Sequence, residues 1–139
     1  MKTNGTIVHF NMKALEDHLQ AECVRWFRYQ YPNVVIFAIP NGGSRNPIEA
    51  AKLKRTGTLA GVADLFVMKA KWVDEDIEIF GFTDYYCKYH GLFIEMKVGK
   101  NKQTPAQVEF QEYCQQAGYE YQVCRSFDEF KEVIENYLK

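Results

Sequence analysis

Two short β-type runs in this 139-residue chain each carry an acid where a buried strand should be apolar. In Ala63-Asp64-Leu65-Phe66-Val67 the acid is Asp64, and in Phe93-Ile94-Glu95-Met96-Lys97 it is Glu95. Burying one unpaired carboxylate costs several kcal/mol, and burying two costs more. Any fold of this chain must therefore bring both carboxylates to something that compensates them. Side chains alternate along a strand, so Glu95 and Lys97 share one face and Ile94 and Met96 the other. Strands consecutive in sequence usually neighbour one another, which sets Asp64 beside that pair.

The rest of the chain supplies the surroundings. Residues 11–30 read as a helix capped by Asn11, with Leu15, Leu19, Glu22 and Trp26 at steps of four, three and four on one face. Glu22 is then an acid on an apolar stripe, able to cover the same spot as Asp64 and Glu95. The β-branched run at 34–40 is a short strand, followed by the breaker Asn41-Gly42-Gly43-Ser44-Arg45-Asn46-Pro47. A second helix starts with Asn46 as cap, Pro47 at its first position and Glu49 at the capping-box position, and Gly57 ends it. Residues 70–90 form a hairpin or an irregular excursion. Thr104-Pro105 starts a helix over 104–117 that stops at Gly118. Residues 119–125 form a strand, and Ser126 with Glu129 boxes the start of the last helix, whose core face is Phe130, Val133, Ile134, Tyr137 and Leu138. The order α-β-α-β-β-α-β-α predicts an α/β fold with a mixed sheet flanked by helices.

Length fits one domain, residues 1–139, with its core over roughly 11–138. With 47% hydrophobic and 25% charged residues the composition is that of a soluble globular chain. The formal net charge of -1 gives no global attraction for polyanions, so any nucleic-acid site must come from local clusters of Lys and Arg. Four widely spread cysteines and a start without an apolar leader point to reduced thiols in the cytoplasm, or the host cytoplasm if the protein is viral. Cys87 and His90 have a C-x-x-H spacing, but no second pair completes a zinc site, and an aromatic hairpin is the favoured reading. No apolar run reaches the ~18–20 residues that span a bilayer.

Three acids and one lysine gathered at one sheet end leave a simple ion pairing short of positive charge. Hard Mg²⁺ or Mn²⁺ takes oxygen ligands and keeps several waters, so Asp64, Glu95 and the Met96 backbone carbonyl suffice, with Glu22 as a further ligand. Bland alternatives stand beside this: buried ion pairs for Asp64 and Glu95 with Lys97, a solvated face for Glu22. Thr104-x-x-Gln107 reads as a capping box worth about 1 kcal/mol that needs no function.

These residues resemble the PD-(D/E)XK nuclease superfamily, whose signature is an Asp on one strand and E-x-K on its neighbour. More of the chain is similar to one branch, the virus-type replication-repair nuclease (VRR-NUC) domain. The similarity runs through "PNGGSRN", "LKRTGTLAGVADLFV", "FIEMKVGKNKQTPAQVEFQEYCQQAGYEYQVC" and a final S-x-x-E helix, covering nearly all of residues 15–137. One departure is Ala63, where the family has proline before the aspartate; that proline shapes strand entry and is no ligand.

The resemblance implies a restriction-endonuclease-like fold and a Mg²⁺- or Mn²⁺-dependent DNA endonuclease in replication, recombination or repair, with branched junctions as substrate. It implies catalytic roles for Glu22, Asp64, Glu95 and Lys97, and a place for Gln107 beside the lysine. Asn41, Gly42, Gly43, Arg45 and Lys54 are candidate DNA contacts, with Lys100 and Lys102 as similar candidates, because phosphate binding needs only charge, backbone N–H groups and reach. Cutting two antiparallel strands needs two sites, hence an expected homodimer, with residues 72–93 as the place to seek its interface. Two rivals remain: a non-catalytic nucleic-acid-binding module on the same fold, and a sequence-specific restriction-type enzyme.

Overall fold

The computed structural model of the chain describes residues 4–40, 46–77 and 81–139. Ten elements follow in order: α1 (Asn4–Gln30), β1 (Val35–Ala38), α2 (Pro47–Arg55), β2 (Leu65–Met68), β3 (Lys71–Ile77), β4 (Phe82–Tyr89), β5 (Leu92–Met96), α3 (Pro105–Gln116), β6 (Glu120–Cys124) and α4 (Phe127–Tyr137). Four strands form one sheet in the order β1-β2-β5-β6, while β3 and β4 make a separate hairpin. β1–β2 and β2–β5 are antiparallel and β5–β6 is parallel, so the sheet is mixed. The parallel pair needs a crossover, and α3 supplies it. The segment expected over 70–90 takes the hairpin form.

Strand alternation divides the core. Leu65, Val67, Leu92, Ile94 and Met96 face a layer containing Cys23 and Phe27 of α1 and Phe130, Ile134 and Tyr137 of α4. The opposite face packs Ala63 and Tyr121 with Cys114 of α3, and Phe93, Phe110 and Val123 join them. Removing a ring such as Phe27 or Phe130 from the first layer would cost about 3–5 kcal/mol.

α1 differs from expectation in start and facing. It begins at Asn4, so Asn11 lies inside the helix and caps nothing. Gly5, Thr6, Ile7 and Val8 are weak helix formers, and their low propensity hid the first two turns. The buried row is Cys23 and Phe27, whereas Leu15 is 57% exposed and Glu22 is exposed. The helix is turned by about one residue relative to the Leu15–Leu19–Glu22–Trp26 stripe, because Cys23 behaves as a small hydrophobe and fills the sheet-facing position.

The caps of the other helices follow their residues closely. Asn46 accepts from Ile48 N at 2.9 Å at the start of α2. Ser126 accepts from Glu129 N at 3.1 Å. Glu129 reaches one residue further back than a capping box requires, accepting from Arg125 N at 2.6 Å. The hairpin is tied to the end of α4: Lys71 Nζ donates to the Asn136 carbonyl at 2.6 Å and the Tyr137 carbonyl at 3.2 Å. A cation on the last carbonyls of a helix also suits its dipole.

Gly61, before β2, holds the loop against the start of α3. Its φ is +86°, and a Cβ there would lie far inside contact distance of the Ala106 carbonyl. Both backbone strain and a backbone clash oppose any side chain. Gly61→Ala is expected to lower stability by on the order of 2–4 kcal/mol, read as a fall in the denaturant midpoint; a midpoint unchanged from wild type would show that the loop–helix contact is not tight.

Candidate active site

The antiparallel register sets Leu65 opposite Ile94 and Phe66 opposite Phe93. One step further along the same register Asp64 stands opposite Glu95, and alternation sends both toward α3. Asp64 Oδ2 accepts the Met96 N–H at 2.7 Å, which holds the carboxylate against β5. Glu95 is 2% exposed. Its Oε1 accepts from Gln107 Nε2 at 2.8 Å. Lys97 Nζ stands 3.9 Å from the same oxygen, so it acts on Glu95 as a charge and not as a hydrogen-bond donor. Among the described residues, Glu95 Oε2 is the buried side-chain polar atom left without a hydrogen-bond partner.

The electrostatics follow from this crowding. Burial pushes the Glu95 carboxyl up from its ordinary 4.5 to about 8, and the neighbouring Asp64 charge adds to the push against the pull of Lys97. Asp64 is raised as well, first by burial, while the Met96 N–H, Lys13 and a bond from Glu95 restrain it. Both carboxyls are thus raised by burial, and each charge disfavours the other.

The α1 acid whose charge is felt at this group is Glu16, whereas Glu22 is exposed. Burial raises the Glu16 carboxyl, and it interacts with Lys97, Lys13 and Asp64; its charge is felt in turn at Glu95. Glu22 lies six residues on, about 9 Å along the axis and roughly 240° round the helix, exposed and beside Cys23. Glu16 was legible from the row that became buried, since it precedes Cys23 by seven residues and Phe27 by eleven. The misjudged facing of α1 concealed it.

Gln107 does two things at once. Its Oε1 accepts the Thr104 N–H at 2.8 Å while Thr104 accepts from Gln107 N at 3.2 Å, a full capping box. The other end of the same amide donates to Glu95. The sequence left capping and site contact evenly weighed, with both at different times as an option, and the side chain makes both contacts simultaneously.

Asp64 and Glu95 are the residues that could hold a divalent cation. Two adjacent carboxylates, a buried oxygen without a donor and the Met96 carbonyl between Glu95 and Lys97 form an oxygen donor set that fits a hard ion. No group of three or more His, Cys, Asp or Glu side chains among the described residues is arranged as a metal cluster. The expected trio with Glu22 is thus reduced to a pair, which suits an ion that keeps much of its water.

Of the expected DNA contacts, Lys54, Lys100 and Lys102 are all exposed. Asn41, Gly42, Gly43 and Arg45 lie outside the described residues. Cys87 Sγ comes to 3.6 Å from His90 Nδ1 in the hairpin. No helix among the described residues is long and apolar enough to cross a membrane.

Comparison with solved structures finds a VRR_NUC domain protein that superposes with a TM-score of 0.64 at 29% sequence identity, over 88% of this chain and 87% of that one. No family model and no curated protein matches the chain.

The acid pair predicts a pH dependence. Without added cation, folded protein holds a Glu95 proton that the unfolded chain has released, from the ordinary value of 4.5 up to about 8. The stabilisation is complete below the lower value and is lost as pH rises through the upper one, by on the order of a few kcal/mol. Denaturant melts in EDTA between pH 5 and 9 should show this decline, and Glu95→Gln should flatten it; a flat wild-type profile would contradict the raised Glu95 carboxyl. Separately, Thr104→Ala should cost about 1 kcal/mol through the cap alone, and Gln107→Leu more than that in the same melts, because it also strips a donor from buried Glu95.

Proposed function

We propose that this chain, which along most of its length is similar to a VRR_NUC domain protein, hydrolyses DNA phosphodiester bonds with the help of Mg²⁺ or Mn²⁺. The observation that carries the reading is the buried Asp64–Glu95 pair with its donorless Oε2, next to an ammonium and an amide. A buried carboxylate oxygen without a donor has room for a cation or a water.

A divalent cation held by Asp64, Glu95 and the Met96 carbonyl would supply positive charge beside the phosphate and Lewis acidity toward water. The chain's own residues do the rest. Lys97 places a fixed ammonium where negative charge builds on the phosphoryl oxygens, or orients the attacking water. Gln107 holds Glu95 in one rotamer, and its anchorage in the Thr104 cap makes that hold rigid. The Glu16 charge on α1 interacts with that of Lys97 and adds a second carboxylate near the site.

DNA reaches the site through local charge. Lys52, Lys54 and Arg55 crowd the last turn of α2, and Lys100 and Lys102 follow β5, all exposed. We assign the chain a structure-specific role on branched DNA in replication, recombination or repair, acting as a two-fold homodimer so that two strands are cut from two sites.

A panel of end-labelled linear, flapped, forked and four-way DNAs with Mg²⁺ or Mn²⁺ tests this. Cleavage should depend on the cation and map to branch positions. Asp64→Asn keeps an acceptor for the Met96 N–H and removes like-charge repulsion, so it should stay folded and bind DNA yet cut at least ~10²-fold more slowly; Lys97→Ala should lose ~10²–10³-fold. Undiminished cutting in EDTA or by Asp64→Asn would sink the proposal, as would positions that follow sequence in place of branching for its specificity. Light scattering that finds monomer alone at working concentration would remove the dimer.

A further inference from the structure

Next to the acid pair is a cavity of about 340 Å³, walled by Ala50, Leu53 and Lys54 of α2, the loop around Leu59, and Thr104 and Gln107 of α3. Gln107 is the wall common to both, since its Nε2 donates to Glu95 at 2.8 Å. One amide therefore separates the cavity from the carboxylates. On the loop side the wall is fixed, because Gly61 sits directly against the Ala106 backbone.

The apolar part of this wall has no structural employment. Leu53 and Leu59 are 37% and 54% exposed, neither belongs to a core cluster, and α2 buries none of its nine residues. Phosphates are met by cations and N–H groups, for which leucines are useless. Leucines suit the flat apolar faces of a base and the carbon side of a sugar. A volume at the low end of small-molecule sites, about 300–1,000 Å³, accommodates one nucleoside and not a stacked pair. Lys54 lines the same space and offers the cation that the attached phosphate needs.

We propose that this cavity takes one unpaired nucleotide of the strand next to the scissile phosphate, its base against Ala50, Leu53 and Leu59 and its phosphate on Lys54. The inference rests on the nuclease reading of the adjoining site and names what that site selects. A base inside an intact duplex must be unstacked and unpaired before it can enter, at a cost that is least where it is already unpaired. Selectivity for branches, flaps and ends then follows from the cavity itself. Recognition is by shape: the Gln107 amide is already bonded at both ends, to Thr104 and to Glu95, and the leucines carry no base-reading groups.

The test separates binding from hydrolysis. Fluorescence anisotropy in EDTA compares three duplexes: fully paired, carrying one unpaired nucleotide, and carrying an abasic residue at that unpaired position. Wild type should bind the unpaired-base duplex about tenfold tighter or more than the abasic one, whichever base it is. Ala50→Phe, which fills the cavity from a helix with no buried residue, should bring the two affinities within about twofold of each other. Leu59→Ser, at a half-exposed position, should do the same and guards against misfolding of the first variant. Equal wild-type affinities for base and abasic duplexes would overturn the proposal, as would folded variants that keep the preference. Cleavage with Mg²⁺ or Mn²⁺ is the second arm. Base preference without any cutting keeps the cavity and sinks the nuclease reading, whereas cutting without base preference does the reverse.

Discussion

Everything at the site depends on two carboxylates being forced together by a strand register. β2 and β5 pair through side chains that fill the core on both faces, and a slip by one residue would send Asp64 and Glu95 to the α1–α4 side. The apolar partners Leu65, Val67, Leu92 and Ile94 therefore hold the acids in place. Their burial on one face is the force that opposes repulsion on the other. The Met96 N–H, taken by Asp64, ties the acid from β2 to β5 at one more point.

Burying two carboxylates side by side costs stability, and the fold accepts that cost at one spot. Lys97 stays near Glu95 at 3.9 Å without bonding it, leaving the ammonium its donors for something else. Gln107 links this strained spot to a standard helix start, so the stiffness of the α3 cap is transmitted to Glu95 through one amide. Separating the cap from the site contact by sequence reasoning alone invites a false choice, because an amide has two ends and each can be used.

What the sequence made legible was whatever short-range periodicity controls. The period of two placed Glu95 and Lys97 on one face and paired them with Asp64, and cap chemistry located the starts of α2, α3 and α4 closely. Facing held only in part for α1: Leu19 and Trp26 pack against the core, but the fully buried row is Cys23 and Phe27, about one residue of rotation away, and Leu15 is exposed. Only the shape of the opposing sheet decides between such rows, and that decision moved the nearby acid from Glu22 to Glu16. Anchoring of the hairpin by Lys71 to carbonyls of α4, across 65 residues of chain, has no local signal at all. Nor does the cavity, which arises from helix and loop segments that meet only in three dimensions.

The chain path also separates the charges. β2 runs away from Asp64 toward the hairpin at Lys71, and β5 returns from the hairpin toward Glu95, so the hairpin and the acid pair occupy opposite ends of the central strands. The hairpin exposes Asp74, Glu75 and Asp84 with Trp72, Tyr85 and Tyr86. The cations of α2 and of the turn after β5 belong to the other end. A net charge of -1 thus conceals an uneven placement: Lys52, Lys54, Arg55, Lys100 and Lys102 lie toward the acid-pair end, while the hairpin has Lys71 and Lys88 among its acids. On the proposed reading, a polyanion would meet Lys54 at the acid-pair end before it met the aromatic hairpin, so local placement of charge can do what the net charge does not.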